Sequence, residues 1–366
     1  MGKTKLLLLS GFLGAGKTTL MLAAAERLRE RGERVACVTN DQGTGLIDSN
    51  LVRMKELPLA QVEGGCFCCR FDDLADEIVR LLETEAPDVI IAEAVGSCAD
   101  LAATVVKPLM AFHGDSLDIG PLTAVIDPRR LEQSHSEEGA AALGNDVSYL
   151  YRKQLEEANV LVLNKTDLLD DAERASLLRR IGTDYAPDAV FALSARRPGE
   201  ADGWLDFALG ASASAAAPAV DIDYDAYATG EAQLGWLNAT VSIRGAIADA
   251  GSFALRLADA LLERFRKRSM EAAHVKLWAQ DTTNRLKLSA VDNRTPFALD
   301  YTSAPVWSAE GLTLLLNARV KGSDAALREA ALDALRLVAE QEDVVANVET
   351  MDAFAPARPV PIYRMA

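Results

Sequence analysis

The sequence predicts an α/β domain built on a mainly parallel sheet, followed by a smaller α+β domain. Three observations carry that reading. Short apolar runs alternate with longer amphipathic segments up to about residue 200, the alternation of a parallel sheet covered by helices. The stretch ALGASASAAAPAV at 208–220 then loses almost all large side chains, as a linker does. Beyond it apolar and polar residues alternate one by one, which describes strands with one wet face.

In order, the apolar runs lie at 5–10, 34–39, 88–92, 121–126, 160–163 and 189–193. Between them Met21, Ala24, Ala25 and Leu28 mark one helical face, and Phe71, Leu74, Ile78, Leu81 and Leu82 mark another. After the linker, Leu237, Ala239, Val241 and Ile243 alternate with Asn238, Thr240 and Ser242 in a strand. Strands at 275–280, 285–291 and 312–320 follow, with helices at 252–268 and 324–340, in the order β-α-β-β-β-α. The expected boundaries are 1–210 for the first domain, 211–233 for the linker, 234–350 for the second domain and 351–366 for a tail.

Composition narrows the function classes. At 49% hydrophobic, 25% charged and 6% aromatic, the chain reads as an ordinary soluble globular protein. A net charge of −16 argues against bulk attraction to nucleic acid or to an anionic membrane, both of which need positive patches. Lys17 interrupts the apolar start, and Leu6 stands where N-myristoylation needs Ser or Thr, so neither a secretory leader nor a lipid anchor is expected. Five cysteines, three of them at 66, 68 and 69, are not the framework of a secreted mini-domain. They point to a reducing cytoplasm.

The segment Gly11-Phe12-Leu13-Gly14-Ala15-Gly16-Lys17-Thr18 fits the P-loop pattern and lies between a strand and a helix, where the mechanism needs it. Backbone N–H groups from Gly14, Ala15, Gly16, Lys17, Thr18 and Thr19 are placed to cradle phosphates at a helix N-terminus. Lys17 is the cation for the β- and γ-phosphates, and the Thr18 hydroxyl is a ligand for Mg²⁺. The first domain is therefore expected to be of the P-loop NTPase type. Asn164-Lys165-Thr166-Asp167 follows the run at 160–163, at a strand's carboxyl end. The Asp167 carboxylate can accept from both guanine N–H groups, which adenine lacks, with Asn164 and the Lys165 stem bracing loop and ring. Ser194 and Ala195 close another run and are expected to offer a backbone N–H to the guanine oxygen.

Glu93 ends the run at 88–92, with Gly96 three residues on. A carboxylate there can hold Mg²⁺ through water, and a glycine N–H can sense a γ-phosphate. Asn40, Asp41, Gln42, Gly43 and Asp48 form a companion loop, with Asp41 a candidate metal ligand. The segment Gly64-Gly65-Cys66-Phe67-Cys68-Cys69 precedes a helix, where thiolates are favoured and can bind Zn²⁺ or another borderline ion. Three thiols leave one coordination position open. Three alternatives stand beside this: a redox pair, buried small hydrophobes, or a ligand set of two thiols plus an outside group. Cys37 reads as core, and Cys98 as helix packing or as a fourth ligand. His113, His135 and His274 read as structural.

Together these motifs resemble the CobW family of metal-handling GTPases. NDQGTGLID at 40–48 is similar to that family's NEFGEVGID, GGCFCC carries its Cys-x-Cys-Cys motif, and 151–168 is similar to its strand leading into NKTD. The resemblance implies a CobW-type second domain and a cytoplasmic GTPase, with GTP, Mg²⁺ and Zn²⁺ or Co²⁺ as cofactors. The metal would be bound by Cys66, Cys68 and Cys69 and delivered to a client metalloprotein or corrinoid enzyme, the chain itself acting as a possible homodimer. Asp41 and Thr44 stand where the family has Glu, Ala94-Val95 replaces a hydroxyl-bearing pair, and no His-rich tract is present, as in a divergent subgroup. Two rivals from other classes are a small-molecule kinase or ATPase with structural cysteines, and a redox-sensing regulatory module.

Overall fold

The computed structural model describes residues 2–41, 47–135, 144–214 and 219–365, except for the side chain of Asp41. These residues group into two compact units. The first is organised by β1 (Thr4–Ser10), in which every residue is buried. Burial on both faces follows from covering helices and explains why the run contains four consecutive leucines. The other strands of this sheet are β2 (Val35–Asp41), β3 (Leu59–Glu63), β4 (Val89–Glu93), β5 (Leu117–Ile119), β6 (Thr123–Ile126), β7 (Val160–Leu163) and β8 (Ala189–Ala192). Their order is β3-β2-β4-β1-β6-β7-β8, with β5 beside the start of β1, and every pairing is parallel.

The helices of this unit are α1 (Lys17–Glu30), α2 (Ile47–Met54), α3 (Phe71–Thr84), α4 (Lys107–His113), α5 (Pro128–His135), α6 (Asn145–Glu156), α7 (Asp171–Tyr185), α8 (Asp202–Gly210) and α9 (Tyr224–Ala232). The α1 face read from periodicity, Met21, Ala24, Ala25 and Leu28, is buried against Leu7, Leu9, Val35 and Ile91. The α3 face is buried through Phe71, Leu74, Ile78 and Leu81, while Leu82 is half-buried. A π-helical turn, Ala102–Val106, leads into α4.

The second unit is a six-stranded antiparallel sheet in the order β12-β11-β10-β13-β9-β14. Its strands are β9 (Leu234–Ile247), β10 (Glu271–Gln280), β11 (Arg285–Ala290), β12 (Ala298–Thr302), β13 (Ala309–Lys321) and β14 (Val345–Phe354). Helices α10 (Ala250–Lys267) and α11 (Asp324–Gln341) supply Phe253, Leu257, Phe265, Leu327 and Leu335 to one core with Leu237, Val241, Leu277 and Leu316. On the opposite face the Arg319 guanidinium lies 3.7 Å from the Trp236 ring centroid, and Asn317 donates to Asn238 at 3.0 Å.

Several expectations are corrected. The sheets contain β3, β5, β12 and β14 in addition to the expected strands. Strands β3, β5 and β12 are short and β14 has no buried residue, so their apolar signal is weak: β3 alternates Leu-Ala-Gln-Val-Glu, with only Ala60 and Val62 buried. The expected linker 211–233 contains α9, whose fully buried Tyr227 accepts the Ala99 N–H at 3.0 Å. The expected tail 351–366 contains the end of β14, and 358–365 pack on the first unit. There Tyr363 sits against Phe71 and Phe112 at 5.2 and 5.0 Å, and Arg364 donates to the buried Asp100 carboxylate at 2.7 Å. Proline-rich composition hid this, because prolines remove ladder donors without preventing docking in an extended form.

Glu157, just after α6, is buried and accepts the Ala102 N–H at 3.0 Å, capping the π-helical turn. Burial pushes its carboxyl up to about 8, with the nearby Asp100 charge adding to the shift. A raised carboxyl pKa favours the protonated folded state. Its stabilisation is complete below the ordinary value of 4.5 and is lost as pH rises through about 8. The stability of Glu157→Gln relative to the parent is therefore expected to climb between pH 5 and pH 8.5 by at least about 1 kcal/mol. Urea midpoints across that range check this, and parallel pH profiles for the two proteins would contradict it.

Candidate nucleotide and metal site

Because the sheet is parallel, the loops after β1, β2, β3, β4, β6, β7 and β8 leave from one edge. The loop after β1 needs two glycines for identifiable reasons. Gly11 has φ +125°, and a Cβ there would lie 2.3 Å from the Val125 carbonyl oxygen; Gly16 has φ +98°, and a Cβ there would lie 2.4 Å from Asn164 Nδ2. Gly16 opens α1, so the helix N-terminus faces the loop interior. Lys17 Nζ is held over the loop by the Gly11 and Phe12 carbonyls at 2.7 and 3.4 Å.

The Thr18 hydroxyl donates to Glu93 Oε1 at 2.9 Å. The two residues expected around Mg²⁺ thus meet, because Glu93 pairs with Leu9 in the parallel register and the Ala94 N–H continues the ladder to the Leu9 carbonyl. Gly96 follows flush against the P-loop, where a Cβ would stand 2.9 and 3.0 Å from Leu13 N and Cα. The companion loop lies largely outside the described residues. Gln42, Gly43, Thr44 and the Asp41 side chain fall there, while Asp48 lies in α2.

The NKTD segment joins three loops. Asn164 Nδ2 donates to the Ala15 carbonyl and its Oδ1 accepts the Ala195 N–H, both at 2.9 Å. Lys165 has left-handed φ of +57°, and its Nζ donates to the Gly14 carbonyl at 2.7 Å and to Asp127 Oδ2 at 2.6 Å. Asp167 is exposed at the mouth of this arrangement. Of the residues expected to offer a backbone N–H to the guanine oxygen, Ala195 donates its N–H to Asn164 Oδ1, and Ser194 donates its N–H to Glu200 Oε2 at 2.7 Å. Both residues brace the loop in this way.

Two further residues organise the site: Asp127, which had no role in the sequence reading, and Asn40, which was read there only as part of the companion loop. Asp127, after β6, is buried and accepts the Arg129 and Arg130 N–H groups as well as Lys165. Burial is the largest single influence and opposes its charge, but the Lys165 ammonium and its hydrogen bond, together with the charge and N–H of Arg130, outweigh it and hold the carboxyl below its usual range. Its signal was an aspartate directly after a buried apolar run. Asn40, buried near the end of β2, accepts the Phe67 N–H at 2.9 Å and donates to the Val62 and Gly65 carbonyls at 3.0 and 2.7 Å. It ties the cysteine turn to the sheet.

In that turn the Cys69 and Arg70 N–H groups both reach the Cys66 carbonyl, at 3.0 and 2.9 Å. The turn brings all three sulfurs together: Cys66 to Cys68 is 2.9 Å, Cys66 to Cys69 is 3.3 Å and Cys68 to Cys69 is 3.8 Å. Adjacent Cys68 and Cys69 therefore do converge on one point. A tetrahedral Zn²⁺ with Zn–S of about 2.3 Å has sulfur–sulfur edges of about 3.8 Å, so a small expansion of this triangle fits the ion. Hydrogen bonds from the neighbouring thiols, Cys68 first and then Cys69 and Cys98, hold the Cys66 thiol well below its ordinary pKa. The same contacts push Cys68 up, and Cys69 to about 11. The cluster thus favours a single shared thiolate. Over it, Val360 donates its N–H to Cys69 Sγ at 3.2 Å and Ile362 donates to the Cys68 carbonyl at 3.0 Å. Cys37 lies in the core, as expected. His135 bonds to the Leu131 carbonyl and Asp184, a structural role. No helix among the described residues is long and apolar enough to cross a membrane.

Residues 5–192 match the sequence family described as CobW/HypB/UreG, nucleotide-binding domain. Among curated proteins the chain is similar to "Zinc chaperone CobW" of Sinorhizobium sp, 27% identical over 222 residues, covering 54% of this chain and 58% of that one. It is also similar to "Zinc chaperone YeiR" of Escherichia coli K12, 30% identical over 186 residues, covering 48% and 51%. "Zinc-regulated GTPase metalloprotein activator 1" of Dictyostelium discoideum is 29% identical over 209 residues, covering 50% and 43%. The chain thus spans about half the length of the curated relatives it matches. The match begins inside β1 and ends with β8, taking in every strand of the parallel sheet, and by it the chain belongs to the CobW/HypB/UreG family.

Proposed function

We propose that this chain is a GTPase that carries a zinc or cobalt ion on Cys66, Cys68 and Cys69 and passes it to a client metalloprotein or corrinoid protein. The observation that carries the reading is the convergence of three thiol sulfurs, no more than 3.8 Å apart, at the sheet edge that also bears the P-loop. The zinc-chaperone names of the relatives support the metal half of it. Free thiols at the site fit a reducing cytoplasm.

In this reading Thr18 and Glu93 would hold Mg²⁺, which would supply charge neutralisation at the phosphates. The residues of the chain do the rest. Lys17 turns from the Gly11 and Phe12 carbonyls onto the phosphate oxygens, the α1 N-terminus adds its partial positive charge, and Asn164 keeps the loop from collapsing. Hydrolysis then needs positioning and charge neutralisation more than covalent chemistry. Asp167, exposed at the loop mouth, reads the guanine edge. The metal is cargo: thiols must lose protons to take it up, so affinity rises with pH.

Lys17→Ala is expected to lower GTP turnover at least ~100-fold, measured as phosphate release at saturating GTP; near-parental turnover would remove Lys17 from the site. Asp167→Asn is expected to weaken GTP by at least ~10-fold, since two charge-assisted bonds of ~1.5–3 kcal/mol each are lost, and to gain xanthosine triphosphate instead. Competition binding with both nucleotides decides it, and unchanged GTP affinity would mean that another loop reads the base. Mg·GTP is expected to shift metal affinity at the thiols by ~5- to 150-fold, with the reciprocal effect of metal on GTP. Anaerobic titrations with GDP and with a non-hydrolysable GTP analogue measure that coupling, and equal affinities in both would refute nucleotide-gated carriage.

A further inference from the structure

Four of the five cysteines gather at one place. Besides the three of the cysteine turn, Cys98 has no solvent exposure, and its thiol hydrogen-bonds the Cys66 sulfur. It comes from a different strand loop, the one after β4. That loop is firmly shaped: the Cys98 N–H closes a turn on the Val95 carbonyl at 3.0 Å, and the buried Gln154 amide donates to both the Gly96 and Cys98 carbonyls at 2.9 and 2.8 Å. Cys37, by contrast, lies within the hydrophobic core around β2.

We infer that Cys98 is the fourth thiolate of the metal site, and that it makes the loop from Glu93 to Cys98 the mechanical link between nucleotide and metal. This rests on the metal-carrier reading and adds to it the ligand that closes the site. The link runs through contacts already described. Glu93 accepts from Thr18 on the P-loop helix, Gly96 lies flush on Leu13 of the P-loop, and two residues later Cys98 touches Cys66. A nucleotide that draws Glu93 or Gly96 toward its phosphates moves Cys98 with them. The three thiols of the turn lie within 4.8 Å of one another, and Cys98 stands outside that group; it touches the cluster through Cys66, so engaging the ion takes a small approach of its loop. With Cys98 engaged, a divalent ion has four soft ligands and a closed tetrahedral shell. With it withdrawn, three ligands remain and one position opens for a client's ligand. One cysteine therefore separates a holding state from a releasing state.

Cobalt(II) reads the ligand count directly, because the intensity of its thiolate-to-metal charge-transfer band grows with each thiolate bound. The full-length chain, nucleotide-free and anaerobic, is titrated with Co²⁺ alone and its band compared with those of Cys98→Ala and Cys37→Ala. The parent is expected to show a four-thiolate band and tetrahedral visible absorption. Cys98→Ala should lose about a quarter of the band, as one of four tetrahedral thiolate ligands is removed, and Cys37→Ala should lose none. Zinc affinity, by competition with a chromogenic chelator, should fall at least ~10-fold in Cys98→Ala, since removing even an outer-shell partner costs that much. A three-thiolate band in the parent, unchanged in Cys98→Ala, would overturn the assignment of Cys98 and leave the metal-carrier reading standing. Absence of any thiolate band in the parent would overturn both. Since the parent's own band counts its ligands, the answer does not depend on how well the variant folds.

Discussion

Parallel pairing around β1 is the constraint on which everything else in the first unit depends. Strands that all run the same way deliver their following loops to one edge. The P-loop, the Glu93 loop, the cysteine turn, Asp127 and the NKTD segment are neighbours for that reason alone, although up to about 150 residues separate them in sequence. The register then sets distances. Leu9 opposite Glu93 places a carboxylate 2.9 Å from the Thr18 hydroxyl, and Ile126 opposite Leu163 places Asp127 beside Lys165.

The edge so assembled is a polar network in which backbone and side chain share the work. Asn164 uses both ends of its amide to tie the loop after β1 to the loop after β8, and Lys165 joins the P-loop to Asp127. Such a network is stable only when its members are partnered. A buried aspartate without Lys165 would carry an uncompensated charge, at a cost of about 3–5 kcal/mol. The ion pair has a geometric role too: it fixes the left-handed turn at Lys165 that directs Asp167 outward.

What could be read from sequence was what is local. The P-loop, NKTD and Cys-x-Cys-Cys motifs were legible because a few contiguous residues carry their chemistry, and the strands buried on both faces because their apolar runs are unbroken. Illegible was whatever depends on contacts distant in sequence. Asp127 and Asn40 owe their roles to register, which no periodicity reveals. That the Ser194 and Ala195 N–H groups meet Glu200 and Asn164 was illegible too, because these partners become neighbours only in the folded chain. Strands β12 and β14 and helix α9 carry too little patterned apolar surface to stand out from linker or tail.

The segment at 358–365 shows how a chain can be fastened without secondary structure. Pro359 and Pro361 have no N–H, so the donors left between and after them are Val360 and Ile362, and both are engaged on the cysteine turn. The prolines also preset the backbone dihedrals, so little conformational entropy is lost on docking. At its far end Tyr363 fills an aromatic cluster, and Arg364 neutralises a carboxylate buried to 1% exposure. Lifting the segment away would expose the Tyr363 ring and strip the cation from Asp100 along with freeing both bonds to the turn. The segment therefore behaves as one cooperative unit, closed or detached as a whole, and the amides over the thiols inherit the opening free energy of an anchor several residues away.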